Sequence, residues 1–286
     1  MNKALLPATT PGVIVLSAVM AACGPLDPEA SARMADGAMG AARPSSSAIV
    51  QPAEVDAALK NPRRRPADRV QDDRRQAAAV LDYFGIETGM VVLDLYSGGG
   101  YYAELLAYLV GPSGRVVAHN NTPYLTFAKA ELADRYRDGR LPNVEQLIAE
   151  NNELELPEQR FDAVVMIKAY HDVYFVDEEA GWEPIDRIDF LVEVYDSMKP
   201  GAVLGIVDHV AAPGSPATTG GTLHRIDPAV IRRDMEQAGF IYEGESSILR
   251  NTQDDYSRTV FDEKVRNRTD KVVLRFRKPA GGEGNE

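Results

Sequence analysis

The chain has only four histidines in 286 residues, and all four fall where apolar runs give way to loops. His119, His171 and His209 follow such runs, and His224 lies in a long connection just before a helical segment. Asp172 follows His171, and Asp208 precedes His209. An imidazole titrates near neutral pH, and a carboxylate beside it can orient it for proton transfer. His171, His209, Asp172 and Asp208 are therefore the candidate catalytic residues. With His224 the same set has the donor types of a divalent-metal site. Its spacing matches no recognised metal motif, so no metal ligand is assigned. A lone loop histidine is most often only an exposed polar residue; four on one rim is the feature that sets this chain apart. Asp94 and Asp208 are also the residue type that caps the loop after a strand.

A second cluster is Gly98-Gly99-Gly100, set between the apolar run Val91-Val92-Leu93-Asp94-Leu95 and a helical pattern from Tyr102 to Val110. Glycines after a buried strand let the backbone approach a ligand closely. The free N–H groups of the helix start then face that ligand. The context is what makes the motif informative, because a glycine-rich stretch alone is weak evidence.

The elements that must position these residues alternate. Pro66 opens a helix whose apolar stripe is Val70, Ala77, Val80, Leu81 and Phe84, and Gly85 ends it. Strands are expected at 91–95, 115–119, 144–149, 161–167 and 203–207, and helices at 102–110, 127–136, 188–198 and 228–238. Lys199-Pro200-Gly201 closes the third of these helices. Two late strands, 241–249 and 271–277, have no clear helix between them. Alternating strands and helices imply a parallel sheet with right-handed crossovers. The last two strands can pair as an antiparallel hairpin at one edge. Such sheets bind ligands at the carboxyl ends of their strands, near the switch point.

The segment VVLDLYSGGGYYAELLAYLVG resembles motif I of the class I S-adenosylmethionine-dependent methyltransferases. The resemblance implies an α/β fold, the Rossmann-like class I sheet, mostly parallel with an antiparallel C-terminal hairpin. It implies S-adenosylmethionine as cofactor, with Asp94, Tyr96, Gly98, Gly99 and Gly100 around it. Tyr96 stands where the family has its first glycine, against the methionine part of the cofactor. Asn120 stands where the family has the acid that meets the ribose, and Asn151 or Asn152 takes the place of the acid near adenine. The segments KAYHD, VDHVA, LHRID, LRNTQDD and VFDEKVRNRTDKVVLRFRKP are similar to a family of bacterial exported methyltransferases whose substrate the resemblance does not supply. That likeness covers residues 62 to 279.

Composition narrows the partners. There are 43 acidic residues against 31 Lys and Arg, a net charge of −12. Nucleic-acid binding needs clustered cations to displace counterions, so no nucleic acid is expected and a small-molecule substrate is. The one basic cluster, Arg63 to Arg65 with Arg69, Arg74 and Arg75, is interrupted by Asp68, Asp72 and Asp73 and reads as a solvated helix face. Lys3, the apolar run Val13 to Ala22 and the single cysteine, Cys23, match a secretory signal at residues 1–22. Met20-Ala21-Ala22-Cys23 resembles a bacterial lipobox, which implies an exported, envelope or periplasmic protein with a lipid anchor at Cys23. The run is shorter than the roughly 20 residues of a transmembrane helix. A flexible tether is expected over 23–61, the methyltransferase-like domain over 62–279 and a disordered tail over 280–286. Tyr101, Tyr102, Tyr170, Tyr174, Phe175 and Trp182 are candidates for a pocket lining or for packing. Arg225, Asp254, Asp255, Arg266 and Asp270 are candidates for a polar network under the late loop. The leading expectation is methyl transfer to a small molecule, with His171 or His209 as base or orienting group. The alternatives are an exported ligand- or metal-binding protein on the same fold, and a metal-dependent hydrolase or isomerase that uses the histidine rim.

Overall fold

The structure is a computed structural model that describes residues 53–281. The signal segment, Cys23 and residues 282–286 of the expected tail lie outside the described residues. In chain order the elements are α1 (Ala53–Lys60), α2 (Pro66–Arg69), α3 (Asp72–Arg75), α4 (Ala77–Phe84), β1 (Val91–Leu95), α5 (Tyr101–Val110), β2 (Arg115–Asn120), α6 (Thr122–Arg135), β3 (Val144–Ile148) and β4 (Phe161–Ile167). There follow α7 (Arg187–Ser197), β5 (Met198–His209), α8 (Thr219–Leu223), α9 (Pro228–Gln237), β6 (Ile241–Ser246) and β7 (Lys271–Arg277).

The seven strands form one sheet in the order β3-β2-β1-β4-β5-β7-β6. β1 to β5 are parallel, and β7 runs antiparallel to both β5 and β6. The expected C-terminal hairpin is present. Alternate residues on each strand face opposite sides. Val92, Val116, Ala163, Val165, Val207 and Val273 pack under α1, α4 and α5. Leu93, Val117, Val164, Met166, Leu204, Ile206 and Leu274 pack under α7 and α9. Each such fully buried side chain contributes about 1.5–3 kcal/mol. The chain order reverses between β1 and β4, so the crevice outside their carboxyl ends is the switch point.

Three expectations need correction. The tether does not reach residue 61, because α1 buries Val55 and Ala58 in the core beside α5. The single helix expected from Pro66 is three pieces. Gln76 takes a left-handed φ of 45° between α3 and α4, and Val70 is 81% exposed rather than part of the stripe. β5 starts at Met198, so Lys199-Pro200-Gly201 lies within the strand and not in a closing loop. Gly85 does end α4, in the left-handed conformation.

Candidate active site

β1 delivers a buried carboxylate, Asp94, to the crevice, and the chain then turns sharply. Tyr96 adopts a φ of 54° where the motif has glycine, which places its ring in the core against Tyr124 and His119. The Ser97 N–H donates to the carbonyl of His119 at 2.8 Å. Gly98 and Gly100 both have positive φ, at 57° and 79°, and Gly100 caps α5. A side chain at Gly100 would put Cβ 2.7 Å from Cδ of Arg135. Arg135 closes the turn from behind: it donates to the carbonyl of Gly99, pairs with Asp68 at 2.7 Å and bonds Glu104. Glu104 in turn accepts from Arg140 at 2.7 Å.

The basic stretch before β1 is only in part a solvated face: Arg63, Arg69 and Arg74 are exposed, and the others are not. Arg64 is buried and pairs with both oxygens of Asp72 at 2.7 Å. Asp72 also accepts from the Tyr101 hydroxyl at 2.6 Å. Arg75 stacks on the Tyr101 ring, 4.2 Å from its centroid. The broken helices α2 and α3 thus form one wall of the crevice.

The amides expected at the cofactor are occupied otherwise. Asn120 accepts from the Gly98 N–H at 2.8 Å and donates to its carbonyl at 3.2 Å, so both ends of its amide brace the turn. Asn152 holds the Pro184 carbonyl and the Asp186 N–H. Asn151 is buried with its Oδ1 unpaired, away from the cleft lining. Gly100 faces Arg135 and not the cleft. Asp94, Tyr96, Gly98 and Gly99 do line it, together with Ser97 and Glu131, two residues the sequence did not single out.

Three of the four histidines meet in this cleft. His171 is buried between two carboxylates, with Nδ1 2.7 Å from Asp208 and Nε2 3.3 Å from Asp172. Its own N–H also donates to Asp208, at 2.8 Å. Burial alone would lower its pKa, but Asp208 and Asp172 outweigh burial and raise it to about 9. His171 is therefore an imidazolium at neutral pH. Burial would raise Asp172, yet His171, His224 and the Tyr124 hydroxyl, 2.7 Å away, hold it below the usual carboxylate range. His224 reaches Asp172 at 3.7 Å from a left-handed residue ending α8. Gly220 lets α8 approach, since a Cβ there would lie 2.4 Å from the His171 carbonyl oxygen.

His209 differs in charge. Its ring centroid is 6.1 Å from that of His171. Burial, then the His171 and Lys168 cations, push its pKa well below the ordinary value, so it stays neutral. Nδ1 meets the Thr269 hydroxyl at 2.7 Å, and Nε2 has no hydrogen-bond partner among the described residues. The late-loop network holds Thr269 in place. Arg225 and Asp254 form a buried pair at 2.8 Å, Asp254 accepts from the Asp270 N–H at 2.7 Å, and Asp270 accepts from Arg250 at 3.0 Å. Asp255 and Arg266 stay outside it. His119 is the exception on the rim: it is fully buried, Nε2 lies 3.0 Å from the Ala149 carbonyl, and burial lowers it to about 4.

His171, Asp172 and His224 bring three donor atoms within 4.8 Å of one another, a spacing that would suit a metal. Both ring nitrogens of His171 face carboxylates, so a metal there would have to displace a proton shared with Asp208 or Asp172. Sequence reasoning also passed over Lys168, directly after β4. It is strained at a φ of 60°, and burial, with Arg75 and Lys271 nearby, lowers it to about 7. Of the aromatic candidates, Tyr101, Tyr102, Phe175 and Trp182 line the cleft, joined by Tyr124 and Phe127. Tyr170 and Tyr174 instead bond Asp234 beneath α9 and serve packing.

The glycine turn and the histidine rim are two walls of one cleft of about 600 Å³. Beside the turn, the buried Asp94 Oδ2 and Ser97 Oγ lack hydrogen-bond partners. Burial raises Asp94 to about 7. Unpaired buried polar atoms call for a partner, and an acid and a hydroxyl next to a glycine turn fit a ligand rich in amino and hydroxyl groups.

The family model of protein-L-isoaspartate (D-aspartate) O-methyltransferases matches residues 68–176. The ubiquinone/menaquinone biosynthesis C-methyltransferase UbiE of Pseudomonas putida is 33% identical over 99 residues, 34% of this chain and 38% of its own length. The match to UbiE of Ectopseudomonas oleovorans is also 33% over 99 residues and covers 56% of that relative. This chain therefore spans well under two thirds of the relatives it matches. Among solved structures, an S-adenosylmethionine-dependent methyltransferase from Aquifex aeolicus superposes with a TM-score of 0.51 at 22% identity, over 73% of this chain and 92% of that one. The chain has the fold of the class I S-adenosylmethionine-dependent methyltransferases, and residues 68–176 carry the sequence likeness to methyltransferases. The [4+2]-cyclase SpnF shares the methyltransferase's fold equally well, with a TM-score of 0.52 at 18% identity over 74% of this chain and 82% of its own. The sheet is thus common to proteins of different named reactions, and the site decides the chemistry.

Proposed function

We propose that this protein is a methyltransferase that transfers a methyl group from S-adenosylmethionine to an oxygen or nitrogen of a small molecule, with His209 as the group that orients the acceptor. The observation that carries this reading is the shared cleft, which the neutral His209 imidazole and the glycine turn both line. Asp94, Ser97, Gly98, Gly99 and Glu131 are the residues that would hold the cofactor. S-adenosylmethionine supplies a sulfonium-activated methyl group when bound. Alignment of the acceptor is the main contribution asked of the protein, and it can be worth roughly 7–11 kcal/mol. His209 positions the acceptor through its neutral imidazole, while Thr269 fixes the ring through Nδ1. His171 stays protonated and works as an orienting cation, holding Asp172 and Asp208 in place. The similar proteins are named for O- and C-methyl transfer, so the acceptor atom follows from the rim and not from the sheet.

The test is calorimetric titration of the full-length chain with S-adenosylhomocysteine. Binding in the micromolar range, lost in Asp94→Ala, is the expected result. Absence of heat and of thermal shift at millimolar ligand would overturn the reading. We also propose that the chain is exported and anchored through Cys23, a reading supported by the signal-like segment before it. It requires S-adenosylmethionine to be delivered outside the cytosol.

A further inference from the structure

A second cavity of about 170 Å³ opens beside the histidine rim and shares Lys168, His209, Arg75 and Tyr102 with the cofactor cleft. Its charged lining is of one sign. Arg74, Arg75, Lys168, Arg266 and Lys271 line it, and no aspartate or glutamate does. This is notable in a chain of net charge −12. None of the five makes an ion pair among the described residues, whereas the neighbouring Arg64, Arg135, Arg225 and Arg250 are each paired with a carboxylate. Arg75 bonds only the Gln71 side chain and stacks on tyrosine rings, and Lys271 donates to the Thr269 carbonyl. The remaining wall is apolar, built from Ile167, Val207, Leu249, Val260 and Phe261. Like charges held together in a half-buried cavity repel one another unless an anion joins them.

We propose that this cavity binds the methyl acceptor by its oxyanion, so that the acceptor is a small anionic molecule, a carboxylate or phosphate carried on an apolar body. The inference rests on the proposed methyl transfer, because His209 and Lys168 stand where the two cavities meet. An oxyanion seated on Lys271, Arg75 and Arg266 leaves the apolar part against Val260 and Phe261. The acceptor's nucleophilic atom then points back toward His209. Burial lowers both lysines: Lys168 to about 7, with Arg75 and Lys271 adding to the effect, and Lys271 to about 8, with Arg74 adding to it and Asp270 opposing it; a bound anion would restore their charge.

The test titrates the full-length chain with benzoate, phenyl phosphate, inorganic phosphate and neutral benzamide, and separately with S-adenosylhomocysteine. Benzoate or phenyl phosphate should bind at least tenfold more tightly than benzamide, and their relative order tells carboxylate from phosphate. Lys271→Met and Arg266→Met line only the second cavity. Each should weaken the anion about tenfold and leave S-adenosylhomocysteine affinity within twofold. Equal binding of benzamide and benzoate, or unchanged anion affinity in both variants, would overturn the proposal. Inorganic phosphate binding as tightly as phenyl phosphate would overturn the apolar half of it. S-adenosylhomocysteine binding without anion binding would sink the anionic acceptor and leave methyl transfer standing. Anion binding without S-adenosylhomocysteine binding would support the anion site and sink methyl transfer.

Discussion

At the scale of single residues the cleft sorts its titratable groups by charge. His171 is raised to about 9 from an ordinary value of 6.5, so its contribution to stability is complete below about pH 6.5 and lost as pH rises through 9. The urea midpoint should therefore fall between pH 7 and 9.5, by an amount equivalent to about 1–3 kcal/mol. His171→Gln should flatten that fall; a parallel pH dependence in the variant would show that another group titrates. His209 is neutral and orients the acceptor, so His209→Ala should lower turnover by roughly 10²-fold while leaving S-adenosylhomocysteine affinity intact. Asp94 is raised to about 7 by burial, and only its ionised form attracts a cationic ligand group. S-adenosylhomocysteine, with its ammonium, should bind more tightly at pH 8 than at pH 6, and Asp94→Asn should abolish the difference. Calorimetry at both pH values checks this. Gly100 faces Arg135, so a side chain there acts through the ion network behind the turn and not by filling the ligand's space.

At the scale of elements, the short helices place the site. α1 buries Val55 and Ala58 against α5, whose first turn carries Tyr101 and Tyr102 into the cleft. Val55→Ala should cost about 2 kcal/mol by leaving a partly collapsed void, seen as a lower urea midpoint with an unchanged slope. No loss would mean that α1 is not integral to the domain. α8 is shorter still, and its contact with the His171 turn depends on Gly220. Gly220→Ala must push α8 away from the His171 carbonyl. Overpacking of this kind costs about 1–3 kcal/mol, and at roughly 2–4 °C per kcal/mol the melting temperature should drop by several degrees. The displacement should also move His224 from Asp172, detectable as altered imidazole resonances.

For the whole molecule, charge is segregated. The chain is acidic overall, yet its second cavity is lined by five cations with no acid among them. Association of an anionic small molecule should therefore weaken as salt rises, because screening shortens the reach of exposed charges such as Arg74 and Arg266. Localisation is a property of the full chain as well. If Cys23 is lipidated, the wild-type protein will partition with membranes and Cys23→Ser will be released or remain unprocessed. Recovery of the wild-type protein from the cytosol with Met1 intact would reject export.

The order of strands and helices was legible in the sequence, because apolar periodicity is local and buried parallel strands read as continuous runs such as Val91 to Leu95 and Phe161 to Ile167. The glycine turn and the histidine rim followed from the same order, since a parallel arrangement places the carboxyl ends of β1 to β5 on one side. What the sequence could not decide was the state of each group once there. Asn120 has the position of a ribose ligand, yet its amide is consumed by Gly98, a contact set by how β2 lies beside β1. His171 and His209 look alike in sequence. One is charged and the other neutral because Asp208 and Asp172 enclose the first, while burial and the resulting cation bear on the second. Arg64 and Arg65 read as solvated because their partners, Asp72 and Asp134, come from elements near and far, and only packing brings them together. Lys168 carried no signal at all. Its chemistry arises from a cavity whose other cations lie on α3, on β7 and in the loop before β7. Local pattern fixes which residues reach the rim, whereas charge state and partner depend on long-range burial and fields that no window of sequence contains.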